Sequence, residues 1–154
     1  MKKFLTVLFL TGLLTASIAA AENSAKTAGT GKAILGISPH EKDISIKAVT
    51  ADGSPVQAEG CTVTEFLSGE EIFLEALGDT VVLKGKITEL DCCGNQLTSL
   101  DVRGLTDLQE LYYRENRLTS LNRQGLSHLW FLHCDDNSNP CLTFLILFSN
   151  IVLN

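Results

Sequence analysis

The densest run of metal-ligating and nucleophilic side chains in the sequence is His133-Cys134-Asp135-Asp136. A zinc ion needs about four protein or water ligands converging on one point. On an extended strand successive side chains point to opposite faces, so Cys134 is aimed away from His133 and Asp135. The same geometry weakens a thiol nucleophile. Cys93 would lie two strands from His133, and no third group is in place to orient the base. Asp91 and Glu110 read as charge on a solvated face rather than as an acid–base couple. Gly94 stands alone, outside any glycine-rich phosphate loop. These residues predict no catalytic group, no metal site and no cofactor. A thiol-dependent activity at Cys93 is the one enzymatic alternative, and it would require a lowered thiol pKa.

Recognition is the chemistry that remains. Glu89, Asp91 and Cys93, then Glu110, Tyr112 and Arg114, then Phe131, His133 and Asp135 alternate with apolar residues. That alternation puts them together on one face of a sheet, the concave face of a curved one. Aromatic side chains and Arg are the types enriched at interface anchors. Tyr112, Arg114, Phe131 and His133 fall on adjacent strands, about 4.8 Å apart. The expected ligand-binding residues are therefore Glu89, Asp91, Glu110, Tyr112, Arg114, Phe131 and His133.

A repeat positions them. Ile87-Thr-Glu-Leu90-Asp-Cys92-Cys-Gly-Asn95-Gln-Leu97-Thr-Ser-Leu100 aligns with Leu108-Gln-Glu-Leu111-Tyr-Tyr113-Arg-Glu-Asn116-Arg-Leu118-Thr-Ser-Leu121. A third copy begins at Leu129, with Leu132, Cys134, Asn137 and Leu142 in register. Ile87, Leu108 and Leu129 are evenly spaced, giving copies 87–107, 108–128 and a partial 129–148. Ile87, Leu90 and Cys92 point inward from a short strand, and Leu97, Leu100 and Leu105 complete the apolar layer. One such layer cannot close a core, but stacked layers can. Asn95, Asn116 and Asn137 stand where the chain leaves the strand. An inward amide has both a donor and an acceptor for the backbone of adjacent layers.

The phrases Leu90-Asp-Cys92, Asn95-Gln-Leu97-Thr-Ser-Leu100-Asp-Val102 and Asn116-Arg-Leu118-Thr-Ser-Leu121 resemble the leucine-rich repeats of bacterial surface proteins. They are similar to the internalin-like repeat of about 21 residues in which Cys forms a ladder at the position of Cys92 and Cys134. Tyr113 departs from that pattern in the second copy. The resemblance implies a mainly β, right-handed solenoid that is exported and binds other macromolecules without catalysis. It implies a protein or glycan ligand at a host or cell surface, as in adhesion.

The start of the chain fits export. Lys2 and Lys3 precede an apolar run from Phe4 to Ala20, and Ala19-Ala20-Ala21 supplies a small-residue cleavage site. Residues 1–21 read as a secretory signal. The run is short for a spanning helix, so no stable membrane span is expected after cleavage. Removing the two leader lysines leaves 10 basic against 18 acidic residues, from the 12 and 18 of the full chain. That balance excludes nucleic acid as an expected partner. Five cysteines allow disulfides in an exported protein, but an odd count leaves at least one unpaired within the chain. Cys92 and Cys134 are expected to be reduced and buried as small hydrophobes.

Residues 22–32 read as a flexible leader and residues 33–86 as a β-rich N-terminal cap. Ile44, Ile46 and Ala48 alternate with Ser45 and Lys47, the period of a half-buried strand. Asp52-Gly53-Ser54-Pro55 is a turn, and Cys61-Thr-Val-Thr favours another strand. Between Ser68 and Gly78 a capped helix competes with a strand; the alternation of Ile72, Leu74 and Ala76 favours a hairpin with residues 80–83. Beyond Pro140 the chain is apolar on both faces, unlike a terminal repeat with a polar outer side. Residues 149–154 read as a tail. This end suits either a buried terminal strand or a truncated repeat protein with no activity of its own.

Overall fold

The computed structural model describes residues 31–138. The expected signal peptide, most of the leader and the apolar C-terminal stretch lie outside the described residues. Ten strands follow in order: β1 (Lys32–Gly36), β2 (Asp43–Thr50), β3 (Val56–Glu59), β4 (Glu65–Phe66), β5 (Glu71–Glu75), β6 (Thr80–Lys84), β7 (Ile87–Asp91), β8 (Ser99–Asp101), β9 (Glu110–Tyr112) and β10 (Phe131–His133). They make two five-stranded sheets: sheet I in the order β4-β3-β6-β1-β8 and sheet II in the order β10-β9-β7-β2-β5. The protein is mainly β. No helix among the described residues is long and apolar enough to cross a membrane.

Alternation drives the layering. In β2, Ile44, Ile46, Ala48 and Thr50 are buried while the residues between them are not. In β6, Val81 and Leu83 are buried in the same way. The inward sets of both sheets join one hydrophobic core, from Leu35 and Leu83 through Ile44 and Ile46 to Leu97, Leu111 and Leu132. A one-residue slip in any of these strands would send its whole apolar set to solvent.

Each repeat copy gives sheet II one parallel strand. Leu90 on β7 faces Leu111 on β9, which faces Leu132 on β10. All three are buried, as are Cys92, Tyr113 and Cys134 one step on. The chain then turns away through a left-handed residue at the same place in each copy: Gly94 (φ 67°), Glu115 (φ 54°) and Asp136 (φ 56°). Only Gly adopts that region without steric cost.

The three asparagines follow this turn and tie each layer to the one before. The Asn116 side chain donates to the carbonyls of Cys92 (2.9 Å), Tyr113 (3.0 Å) and Arg114 (3.1 Å) and accepts from the Leu97 N–H (2.8 Å). Asn137 donates to the Tyr113 and Cys134 carbonyls and accepts from the Leu118 N–H. Asn95 has no preceding copy, and it bridges the Ser45 carbonyl (2.7 Å) and N–H (2.8 Å) of β2 instead. The strand before the repeats is thus stitched on by the same amide chemistry as the repeats themselves.

Residues 32–84 are joined to the first copy at two places. β2 pairs antiparallel with β7, and β1 pairs antiparallel with β8. This junction brings backbones close together. A Cβ on Gly104 would sit 2.8 Å from the Lys32 carbonyl oxygen, and one on Gly31 would sit 2.5 Å from the Gly104 carbonyl oxygen. Gly104→Ala is expected to cost about 1–3 kcal/mol through this backbone clash. The midpoint of denaturant unfolding measures it, with the exposed Thr106→Ala as a control near zero.

Three expectations are corrected. The strands over residues 71–75 and 80–84 exist, but they do not form a hairpin: β5 pairs with β2 in sheet II, and β6 pairs with β1 and β3 in sheet I. Alternation fixes which face a strand buries but not which strand it pairs with. The Cys61–Thr64 run contributes only an isolated bridge from Cys61 to Ala76, and the strand forms just after it at β4. Finally, Cys92 is free and buried as expected, but Cys134 is disulfide-bonded. An interior position that accepts a small apolar thiol accepts a half-cystine equally well.

Candidate binding face

The outer face of sheet II gathers the residues singled out in the sequence. Strand register arranges them in rows. One row runs Glu71, Lys47, Asp91, Tyr112 and His133 across β5, β2, β7, β9 and β10. The next runs Val49, Glu89, Glu110 and Phe131. Glu89, Asp91, Glu110, Tyr112, Arg114, Phe131 and His133 are all half-buried at this face. The sheet brings all seven together because every interior leucine of the repeat has an outward neighbour on each side.

The aromatic side chains form a continuous patch. The ring centroids of Tyr112 and Phe131 are 5.0 Å apart, those of Tyr112 and His133 6.3 Å, and those of Trp130 and Phe131 6.0 Å. The 5.0 Å and 6.0 Å pairs are tilted or edge-on, the arrangements that ring quadrupoles favour. The polar tips are held by neighbours. The Tyr112 hydroxyl donates to Glu110 Oε2 at 2.6 Å, and His133 Nε2 lies 3.2 Å from Asp135 Oδ2. Arg114 pairs with Glu115, and its Nε–H is buried with no hydrogen-bond partner among the described residues.

Acid outweighs base at the centre of the face. Glu89 and Glu110 are directly opposite across β7 and β9, with Asp91 one outward position further along. Like charges placed directly opposite on neighbouring strands destabilise the pairing. Lys47 offsets part of this through an ion pair to Glu89 (2.7 Å). The hydrogen bond to Glu89, with the charges of Asp91 and Glu110 behind it, raises the Lys47 pKa. The hydrogen bond to Glu110 and partial burial push the Tyr112 hydroxyl up to about 12.

Cys93 shares this face. Burial, followed by its hydrogen bond to Asp91, pushes its thiol up to about 12. A nucleophilic thiol needs the opposite shift. Both Cys93 and Tyr112 therefore favour the folded state in their protonated forms. Their contribution is complete below their unfolded pKa values and is lost as the pH rises towards 12. Alkylation of Cys93 at pH 8 is expected to run on the order of a thousand-fold slower than that of an unstructured cysteine, from its thiolate fraction alone. Peptide mapping after iodoacetamide treatment measures this, and Asp91→Asn should recover part of the rate.

Among the described residues no group of three or more His, Cys, Asp or Glu is placed to hold a metal ion. The buried Cys134 points away from the His133–Asp135 pair. Sequence reasoning missed three contributors to the face. The alternation in β2 gives Lys47 an outward position, but nothing in the sequence shows that β2 lies beside β7. Phe73 on β5 is 79% exposed beyond β2, and Trp130 is 49% exposed beside Phe131. An aromatic residue at an outward strand position was the available signal for Phe73.

Compared with protein-family models, with curated proteins and with solved structures, the chain gives no match.

Proposed function

We propose that this chain is an exported, non-enzymatic binding protein of leucine-rich repeat type. In this reading residues 87–148 build a short right-handed solenoid, residues 33–86 cap its first layer, and the concave strand face engages a protein or glycan ligand at a cell surface, as in adhesion. The observation that carries the reading is the row structure of sheet II. Six polar and aromatic side chains, Glu89, Asp91, Glu110, Tyr112, Phe131 and His133, stand in register on one face, with Arg114 just past the end of β9, above an unbroken interior column of Leu90, Leu111 and Leu132. The asparagine bridges support the layered arrangement, because each joins one copy to the layer before it. Large aromatic area beside charged groups is the composition of interface anchors.

The test is the triple variant Tyr112→Ala, Arg114→Ala, Phe131→Ala, probed beside the wild-type chain on arrays of purified extracellular protein domains and of glycans. The expected result is a binder captured by the wild type and lost by the triple variant, with thermal unfolding little changed. The control Gln57→Ala, Glu65→Ala alters sheet I and should keep the binder. Equal capture by the wild type and the triple variant would refute a role for this face.

A further inference from the structure

The charge pattern of the face narrows the ligand class, an inference that rests on the binding reading above. Glu89 and Glu110 are opposed across β7 and β9, and Phe131 continues their row on β10. Asp91 and Tyr112 lie in the neighbouring row, with the Tyr112 and Phe131 rings 5.0 Å apart. Carboxylates and aromatic π-faces both attract cations. Lys47 is held by Glu89 at the β2 side, and the Tyr112 hydroxyl takes one Glu110 oxygen. Among the described residues no ion pair takes the side of the acidic pair towards Phe131, which a cation from outside can fill. Anionic ligands, phosphate groups included, meet repulsion there.

The size of the face agrees with a short segment. Four strand-to-strand steps from β5 to β10 span about 19 Å. A segment of roughly six residues crosses that distance when extended. The exposed Phe73 offers apolar area at the far end.

We propose that the outer face of sheet II docks an extended, basic segment of a partner protein, with a Lys or Arg side chain seated between the Glu89–Glu110 pair and the Tyr112 and Phe131 rings. Charge complementarity selects this occupant over a neutral glycan or an acidic peptide.

Fluorescence anisotropy with the full chain tests it, using three labelled probes at physiological ionic strength: an alternating Arg-Ser hexapeptide, an alternating Glu-Ser hexapeptide and a neutral glucan oligosaccharide. Binding of the Arg-Ser peptide alone is expected. The double variant Glu89→Gln, Glu110→Gln should weaken it by about tenfold or more. The double variant Glu59→Gln, Glu65→Gln makes the same change in net charge on sheet I, away from the face, and should leave it within about twofold. Thermal unfolding of both variants checks that each is folded. Equal weakening by the two variants would reduce the effect to bulk charge and overturn the proposal, as would failure of the Arg-Ser peptide to bind. Binding of the glucan, lost in the Tyr112, Arg114, Phe131 triple variant but kept in Glu89→Gln, Glu110→Gln, would overturn this inference and leave the binding reading standing. If none of the probes binds and the arrays give no binder sensitive to the triple variant, both readings fall.

Discussion

Leu111→Ala is expected to lower the free energy of unfolding by about 3–4 kcal/mol, within the usual range for a fully buried leucine. Leu111 has no exposure and lies directly between Leu90 and Leu132 on the flanking strands. Truncation removes apolar contact on both sides, and the void sits in the middle of three strands whose hydrogen bonds hold them apart. The site therefore has little room to collapse. Against a typical total of roughly 5–15 kcal/mol, the loss would leave a substantially destabilised protein. Leu132→Ala provides the comparison. Leu132 is 9% exposed, and among the described strands it has a neighbour only on the β9 side, so its truncation should cost less. Urea denaturation of the two variants gives the order; an equal or reversed order would contradict the stacked column.

Asn116→Ala is expected to cost about 2–4 kcal/mol, although the residue belongs to no strand. Its side chain serves four backbone groups, and the residue is buried. Alanine would leave the Leu97 N–H and the Cys92 carbonyl without their amide partner in a place water does not readily reach. The penalty is the desolvation of those groups rather than the net value of the lost bonds. Asn116→Asp tests the mechanism. It keeps the acceptor for Leu97 but loses the donors and buries a charge, so it should be no milder than alanine. An exposed amide such as Gln124, changed to alanine, should shift stability by less than about 0.5 kcal/mol. A near-neutral Asn116→Ala would remove the amide bridges from the account of how the layers are joined.

The repeat was legible because a fixed period ties identity to position. Leu90, Leu111 and Leu132 could be assigned to one column, and Asn95, Asn116 and Asn137 to one kind of turn, from spacing alone. The same spacing put Tyr112, Phe131 and His133 on the opposite face. Less could be read before Ile87. The alternation of Ile44, Ile46 and Ala48 identified a strand and its buried side, but the pairing of that strand with β7 depends on contacts far apart in sequence. So does the placement of β5 and β6 in different sheets. Lys47 therefore entered the face only with the structure. The acidic character of the face lay in between: Glu89 and Glu110 were both assigned outward, but their direct opposition is a matter of register. The disulfide at Cys134 followed no spacing rule that composition could supply.

The most direct test of the layered core is a set of nuclear Overhauser contacts between leucine methyl groups in the stereospecifically labelled full chain. The account predicts strong contacts from Leu90 to Leu111 and from Leu111 to Leu132, with backbone contacts of the parallel pattern between β7, β9 and β10. Absence of the Leu90–Leu111 contact, or an antiparallel pattern between those strands, would contradict it.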